Sequence, residues 1–230
     1  MNLLKYARRI RKVLAGRDLI VRRQLKIDFR VVGNKDAWFA VAGDSLNDRS
    51  IVYSFGVGTD ISFDEGVIDT FGPTVFAFDP TPRSIEWIKA NNTRPDKFIF
   101  RPWGISNEDK FAQFHPPQND AYVSFSIDNI QKSEKGAVEG QVYRLVTIMK
   151  KLGHSRLDLL KMDVEGAEYN ALDDILGSGI EIGQILVEFH HRFYERGAAK
   201  TRDIIRRLNS RGYRIFWVSD SGEEYSFLGK

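Results

Sequence analysis

The chain has 230 residues, a formal net charge of +3 and no cysteine, which excludes disulfides and thiolate metal sites and is compatible with a reducing compartment. Its length and its mixed apolar and charged composition fit one α/β domain with a sizeable core. No apolar run approaches the roughly 18 residues of a membrane span, and the charged N-terminus lacks the apolar core of a signal peptide, so a cytoplasmic protein is expected.

The charge is unevenly spread. Residues 1–26 carry nine Lys or Arg against Asp18 alone, which is +8 for this arm and leaves −5 for the rest. Leu3, Ala7, Ile10 and Leu14 form a helical apolar stripe beside the basic residues. Two readings stand. One is a helix packed on the domain with its basic face in water. The other is a grip on anionic membrane, nucleic acid or an acidic glycan, which would place the protein peripherally at a surface. Residues 1–36 are read as arm and lead-in, and residues 37–230 as the main domain.

Residues 27–50 read as short strands and turns. Ile51-Val52-Tyr53-Ser54-Phe55 is the first buried strand, followed by the turn Gly56-Val57-Gly58-Thr59-Asp60. Ser62 and Glu65 have the spacing of a capping box, and Phe63, Val67 and Phe71 give the helix an apolar face that Gly72-Pro73 ends. Val75–Phe78 is the second strand, and it runs into Asp79. A helix over Ser84–Ala90 leads to a third strand, Phe98–Phe100, and then Pro102-Trp103-Gly104. Phe111–Phe114 reads as a hairpin strand. Residues 116–141 show no clear element and are longer than usual for a structureless loop, so they read as a lid or as an unrecognised helix.

Leu145, Ile148, Met149 and Leu152 mark a helix stopped by Gly153. Leu157–Met162 is the fourth strand, ending at Asp163, and Gly166 opens a helix with Leu172, Ile175 and Leu176 inward. Ile185–Val187 is the fifth strand, continuing into Glu188-Phe189-His190-His191. A helix from about Arg202 carries Ile204, Ile205 and Leu208 and ends at Gly212. Arg214–Ser219 and Glu224–Leu228 form a closing hairpin around Asp220-Ser221-Gly222.

Strands alternating with helices call for a parallel sheet. The closing hairpin adds an antiparallel strand, as in class I S-adenosylmethionine-dependent methyltransferases. The expected architecture is therefore a Rossmann-like class I methyltransferase fold: an α/β, mostly parallel seven-stranded sheet in the order 3-2-1-4-5-7-6, with helices on both faces.

The glycine turn has Ile61 where a dinucleotide fingerprint needs its third glycine. It fits the looser D-x-G-x-G-x-G pattern better, with Ser54 at the acid position and Asp60 at the third glycine. The fourth strand is more specific. DLLKMDVEGAEYNAL, residues 158–172, resembles the K-(I/M)-D-(V/I)-E-G-A-E signature of the FkbM family of methyltransferases. VYSFGVGTDISF at 52–63, FAFDPTPRS at 76–84 and VEFHH at 187–191 resemble the same family, over roughly residues 37–228. The resemblance implies S-adenosylmethionine as cofactor and transfer of its methyl to a hydroxyl of a sugar, polyketide or similar acceptor.

Ligands of open α/β sheets bind at the carboxyl ends of the strands. Gly56, Gly58, Asp79, Trp103, Gly104, Asp163, Glu188 and His190 all fall there. Asp79, 23 positions after Gly56, is the candidate for the ribose hydroxyls. Ser54, Asp60 or Asp163 would face the methionine ammonium, and Trp103 would border the adenine. Asp163 is also the candidate to orient the acceptor. His190 is the candidate general base, because an ordinary imidazole titrates near neutrality, with Glu188 to orient it. Asp163, Glu188 and His190 have the chemistry of an oxygen–nitrogen metal site, but no ligand spacing demands one, and none is expected.

Two other readings compete. An NAD-dependent oxidoreductase is disfavoured by the glycine pattern and the terminal hairpin. A binding protein of the same fold would use the basic arm on RNA or membrane. Between them lies RNA methylation at the 2′-hydroxyl, since MDVEG lacks the Asn/Asp-Pro-Pro-aromatic motif of many base methyltransferases.

Overall fold

The computed structural model describes residues 3–34, 37–43, 45–116 and 136–229, with side chains from residue 9 onward. In chain order the elements are α1 (Leu3–Leu14), β1 (Phe29–Asn34), β2 (Ala37–Ala42), β3 (Ile51–Phe55), α2 (Ser62–Phe71) and β4 (Thr74–Phe78). Then come α3 (Pro82–Asn91), β5 (Phe98–Arg101), β6 (Gly104–Ile105), β7 (Lys110–Phe114), β8 (Val138–Tyr143) and α4 (Leu145–Leu152). The last are β9 (Leu157–Met162), α5 (Glu168–Ser178), β10 (Ile182–Glu188), α6 (Gly197–Ser210), β11 (Arg214–Val218) and β12 (Glu224–Leu228).

Seven strands form the central sheet in the order β11-β12-β10-β9-β3-β4-β5. Numbered along the chain and read from the β5 edge, this is the expected 3-2-1-4-5-7-6. β3, β4, β5, β9 and β10 run parallel, and β12 is antiparallel to both β10 and β11. Both faces of the sheet are covered, so its middle strands read as apolar runs without polar alternation. Tyr53, Phe55, Leu160, Met162, Ile185 and Val187 enter one core, and Val52, Val75, Leu159 and Leu186 the other. No helix among the described residues is long and apolar enough to cross a membrane.

Three local readings change. Ser62 lies inside α2 and makes no capping-box bond; its hydroxyl accepts the Asn34 N–H at 3.1 Å, while Asp60 Oδ1 accepts the Ser62 N–H at 2.9 Å. An upstream acid has taken the cap, because the β1–β2 hairpin occupies the serine. α6 starts at Gly197, five residues before Arg202. Its first turn is buried through Gly197 and Ala198, which carry too little side chain to register as an apolar stripe. Of the stretch 116–141, Val138 onward belongs to β8, which pairs antiparallel with β7. The lid-or-helix question concerns residues 117–135, which lie outside the described residues.

The lead-in is knitted to the domain. The antiparallel β1–β2 hairpin spans the boundary expected at 36/37, and Val32 is buried. Gln24 Oε1 accepts the Ile215 N–H at 2.8 Å. Arg9 of α1 donates to the carbonyls of Leu19 and Asp220, each at 3.1 Å. Arg11, Lys12, Arg17, Arg22, Arg23 and Lys26 remain exposed.

Asp18 is the polar anchor of this packing. It is 1% exposed, and it accepts hydrogen bonds from Arg192 Nη2 at 2.6 Å, the Leu19 N–H at 2.7 Å and His191 Nε2 at 3.2 Å. Burial alone would raise its carboxyl, but these donors and the Arg192 charge hold it at about 2, below the ordinary 3.8. A depressed carboxylate contributes stability above its unfolded value and loses it as pH falls through the folded one. Asp18 is therefore expected to contribute on the order of 1–2 kcal/mol, lost between the ordinary 3.8 and about 2. Denaturant titrations of wild type and Asp18→Asn check this: the two should differ at neutral pH and converge at the acid end.

Candidate active site

The end of β3 sets the floor of the site. Gly56 turns the chain with a φ of +74°, in the left-handed region where a Cβ is strained. A Cβ there would also overlap the carbonyl oxygen of Asp163, so the ends of β3 and β9 meet backbone to backbone. Gly58 donates its N–H to Asp79 Oδ2 at 3.0 Å. Asp79 Oδ1 accepts the N–H and the hydroxyl of Thr81 at 2.9 and 2.6 Å. Oδ2 keeps acceptor capacity for a further donor.

These groups line a cavity of about 260 Å³ at the carboxyl ends of β3, β4 and β9. Phe55, Val57, Phe63, Phe78, Ile105 and Phe114 supply its apolar walls, and Asp163 and Glu165 also line it. The structure thus brings together Gly56, Gly58, Asp60, Asp79, Gly104 and Asp163. Asp60 Oδ2 accepts the Asn34 side-chain amide at 2.6 Å. Burial raises the Asp60 carboxyl, and its hydrogen bonds together with Lys161 bring it below the ordinary value.

Two expected residues stand apart from the cavity. Ser54 is fully buried in β3, because strand alternation turns it toward α2. Trp103 packs its ring near Phe78 and Tyr143, with centroids 6.3 and 5.5 Å away, and Lys151 of α4 lies 6.0 Å from the ring centre. It is a packing aromatic. Its neighbour Gly104 borders the cavity in its place.

Glu188 and His190 lie beside the cavity and meet Asp163 in a second cluster. His190 Nε2 is 3.3 Å from Glu165, 3.7 Å from Asp163 and 3.8 Å from Glu188. Its Nδ1 is 3.5 Å from Glu168. Glu168, fully buried, accepts the backbone N–H groups of Gly166 and His190, each at 2.8 Å. This carboxylate ties the loop after β9 to the end of β10.

The cluster sets the electrostatics of His190. Burial alone lowers an imidazole, but Glu168, Glu165 and Glu188 outweigh it and hold His190 well above its ordinary value. Burial and the Asp163 charge push the Glu188 carboxyl up to about 9.

Lys161 also lines the cavity, in a place that the strand pattern concealed. It is 5% exposed, and its Nζ donates to the carbonyls of Gly56 and Phe55 at 3.0 and 3.3 Å and lies 3.9 Å from Asp163 Oδ2. Asp64 of α2 is its buried counter-charge: burial pushes this carboxyl up to about 6 against the pull of Lys161. A lysine inside an apolar strand is itself the signal, since buried ammonium groups are almost always paired.

Sequence comparison bears on the same residues. "Probable methyltransferase-like protein 24" from Rattus norvegicus is 23% identical over 206 residues, 85% of this chain and 50% of the relative. Its Homo sapiens counterpart is 25% identical over 211 residues, with the same coverage of each. The chain thus spans about half the length of the curated relatives it matches. Among solved structures, a methyltransferase FkbM from Methylobacillus flagellatus superposes with a TM-score of 0.49 at 12% identity, covering 80% of this chain and 44% of that one. Residues 52–215, from β3 to the start of β11, match the family described as the methyltransferase FkbM domain. With most of its length inside that match, the chain belongs to the FkbM methyltransferase family, whose methyl donor is S-adenosylmethionine.

Proposed function

We propose that the protein transfers the methyl group of S-adenosylmethionine to a hydroxyl oxygen of a sugar, glycan or other small metabolite. The observation that carries this reading is the position of the carboxylates. Asp79, Asp163 and Glu165 line the cavity, and in this reading the acceptor enters at a mouth beside Asp163 and Glu165. A hydroxyl donates a hydrogen bond to a carboxylate, so this mouth suits an alcohol.

The cavity's residues fit the donor. Oδ2 of Asp79 has room for a ribose hydroxyl, the apolar walls suit a purine, and Asp60 and Asp163 offer negative charge to an ammonium. When bound, the donor supplies a sulfonium methyl that is electrophilic enough to need only a well-placed nucleophile. Lys161 holds the glycine turn in shape beneath it, and Asp163 orients the acceptor, whose hydroxyl proton passes to the neighbouring carboxylate cluster or to water as the C–O bond forms and the sulfonium C–S bond breaks. Holding both partners in line accounts for much of the expected acceleration.

S-Adenosylhomocysteine should raise the melting temperature of the full chain in a concentration-dependent way, and NAD should leave it unchanged. Asp79→Ala should weaken S-adenosylhomocysteine binding by about 1.5–3 kcal/mol, the range for a hydrogen bond to a charged group. Stabilisation by NAD alone would overturn the reading.

A further inference from the structure

We propose that Asp163, Glu165 and His190 form a divalent-cation site at the mouth of the donor cavity, where the cation takes an acceptor oxygen as a further ligand. The acceptor's part in this rests on the hydroxyl-methylation reading; the cation site itself stands on geometry. One ligand atom from each residue lies within 4.8 Å of the other two. His190 Nε2 stands 3.3 Å from Glu165 Oε2 and 3.7 Å from Asp163 Oδ1. Ligands about 2.1 Å from an octahedral ion are about 3.0 Å apart when adjacent and about 4.2 Å apart when opposite. Small side-chain shifts bring the three atoms onto one ion.

The cluster is more than a group of solvated acids. The His190 side chain is 7% exposed, its Nδ1 has no hydrogen-bond partner, and its Nε2 faces into the carboxylates. A buried imidazole placed in this way offers a nitrogen ligand beside oxygens. Glu165 is also the single non-glycine residue with positive φ among the described residues, at +48°. From that bend its carboxylate reaches His190. Glu168 locks the two ligand-bearing loops together through the N–H groups of Gly166 and His190. Two carboxylates with one imidazole suit an ion of the magnesium–manganese class. Asp163 and Glu165 also border the donor cavity, so a cation here would sit between donor and acceptor.

Manganese is the probe. The chelator-treated full chain, titrated with Mn²⁺, should quench the free-ion electron paramagnetic resonance signal with one site per chain. Glu165→Gln and His190→Ala should each weaken that binding at least about tenfold, in variants whose circular dichroism spectrum matches that of the wild type. If His190→Ala does not fold, Glu165→Gln alone decides. Folded wild type that leaves the Mn²⁺ signal untouched at millimolar ion overturns the site, and so does binding that neither variant weakens. Failure of the wild type to bind S-adenosylhomocysteine would instead overturn the methyl-transfer reading, and the manganese result would stand apart from it.

Discussion

Gly56→Ala is expected to remove S-adenosylhomocysteine binding and to destabilise the fold by about 2–5 kcal/mol. Two costs add at this position. The φ of +74° is strained for any residue with a Cβ. The Cβ would also overlap the Asp163 carbonyl, and a backbone atom cannot swing aside as a side chain can. Relief requires the ends of β3 and β9 to part. That separation would break the Lys161 bonds to the Phe55 and Gly56 carbonyls and displace Asp163 from the cavity. Thermal melting and calorimetry of the variant measure both effects. Gly104→Ala is the comparison: its Cβ would meet the side chains of Val142 and Pro80 at 2.9 and 3.2 Å, so it should be the milder change.

Glu168→Ala should cost about 3–5 kcal/mol, because it removes one side of a buried charged network. Two backbone N–H groups, those of Gly166 and His190, would lose their acceptor. The His190 imidazole would lose a carboxylate that helps to raise it above its ordinary value. Glu168→Gln should recover part of the loss, since its amide oxygen accepts one N–H while its NH₂ faces the other. Chemical denaturation of the three proteins gives the order: wild type, then Gln, then Ala. Equal stability of Ala and wild type would show that the tie between the β9 and β10 loops contributes nothing.

The sheet was legible because its signals are local. Each parallel strand is a short apolar run; β3, β4 and β9 are each followed by a glycine or an acid, and β10 ends in one. Gly56, Asp79 and Asp163 could therefore be placed at one rim before any contact was known. Other features depend on partners distant in sequence. Phe114 forms a cavity wall from a strand whose partner, β8, begins 24 residues later. Nothing in the sequence records which way Trp103 turns beside Gly104. Glu165 and Glu168 read as ordinary first-turn acids of α5. Only the fold brings them against His190, where their charges raise the imidazole above its ordinary value. The β1–β2 hairpin was obscured for a related reason: β1 buries Val32 and leaves most of its side chains in or near water, so it lacks the alternation of a half-buried strand.

A crystal structure of the full chain with S-adenosylhomocysteine tests the central claim most directly. The account predicts the ribose hydroxyls within hydrogen-bond range of Asp79 Oδ2, the base among Phe78, Ile105 and Phe114, and the sulfur directed toward Asp163 and His190. A ligand seated instead at the opposite end of the sheet, in the hollow beside Arg156, Tyr213 and Arg211, would contradict it. So would a ligand in the cavity whose sulfur faces away from the carboxylates.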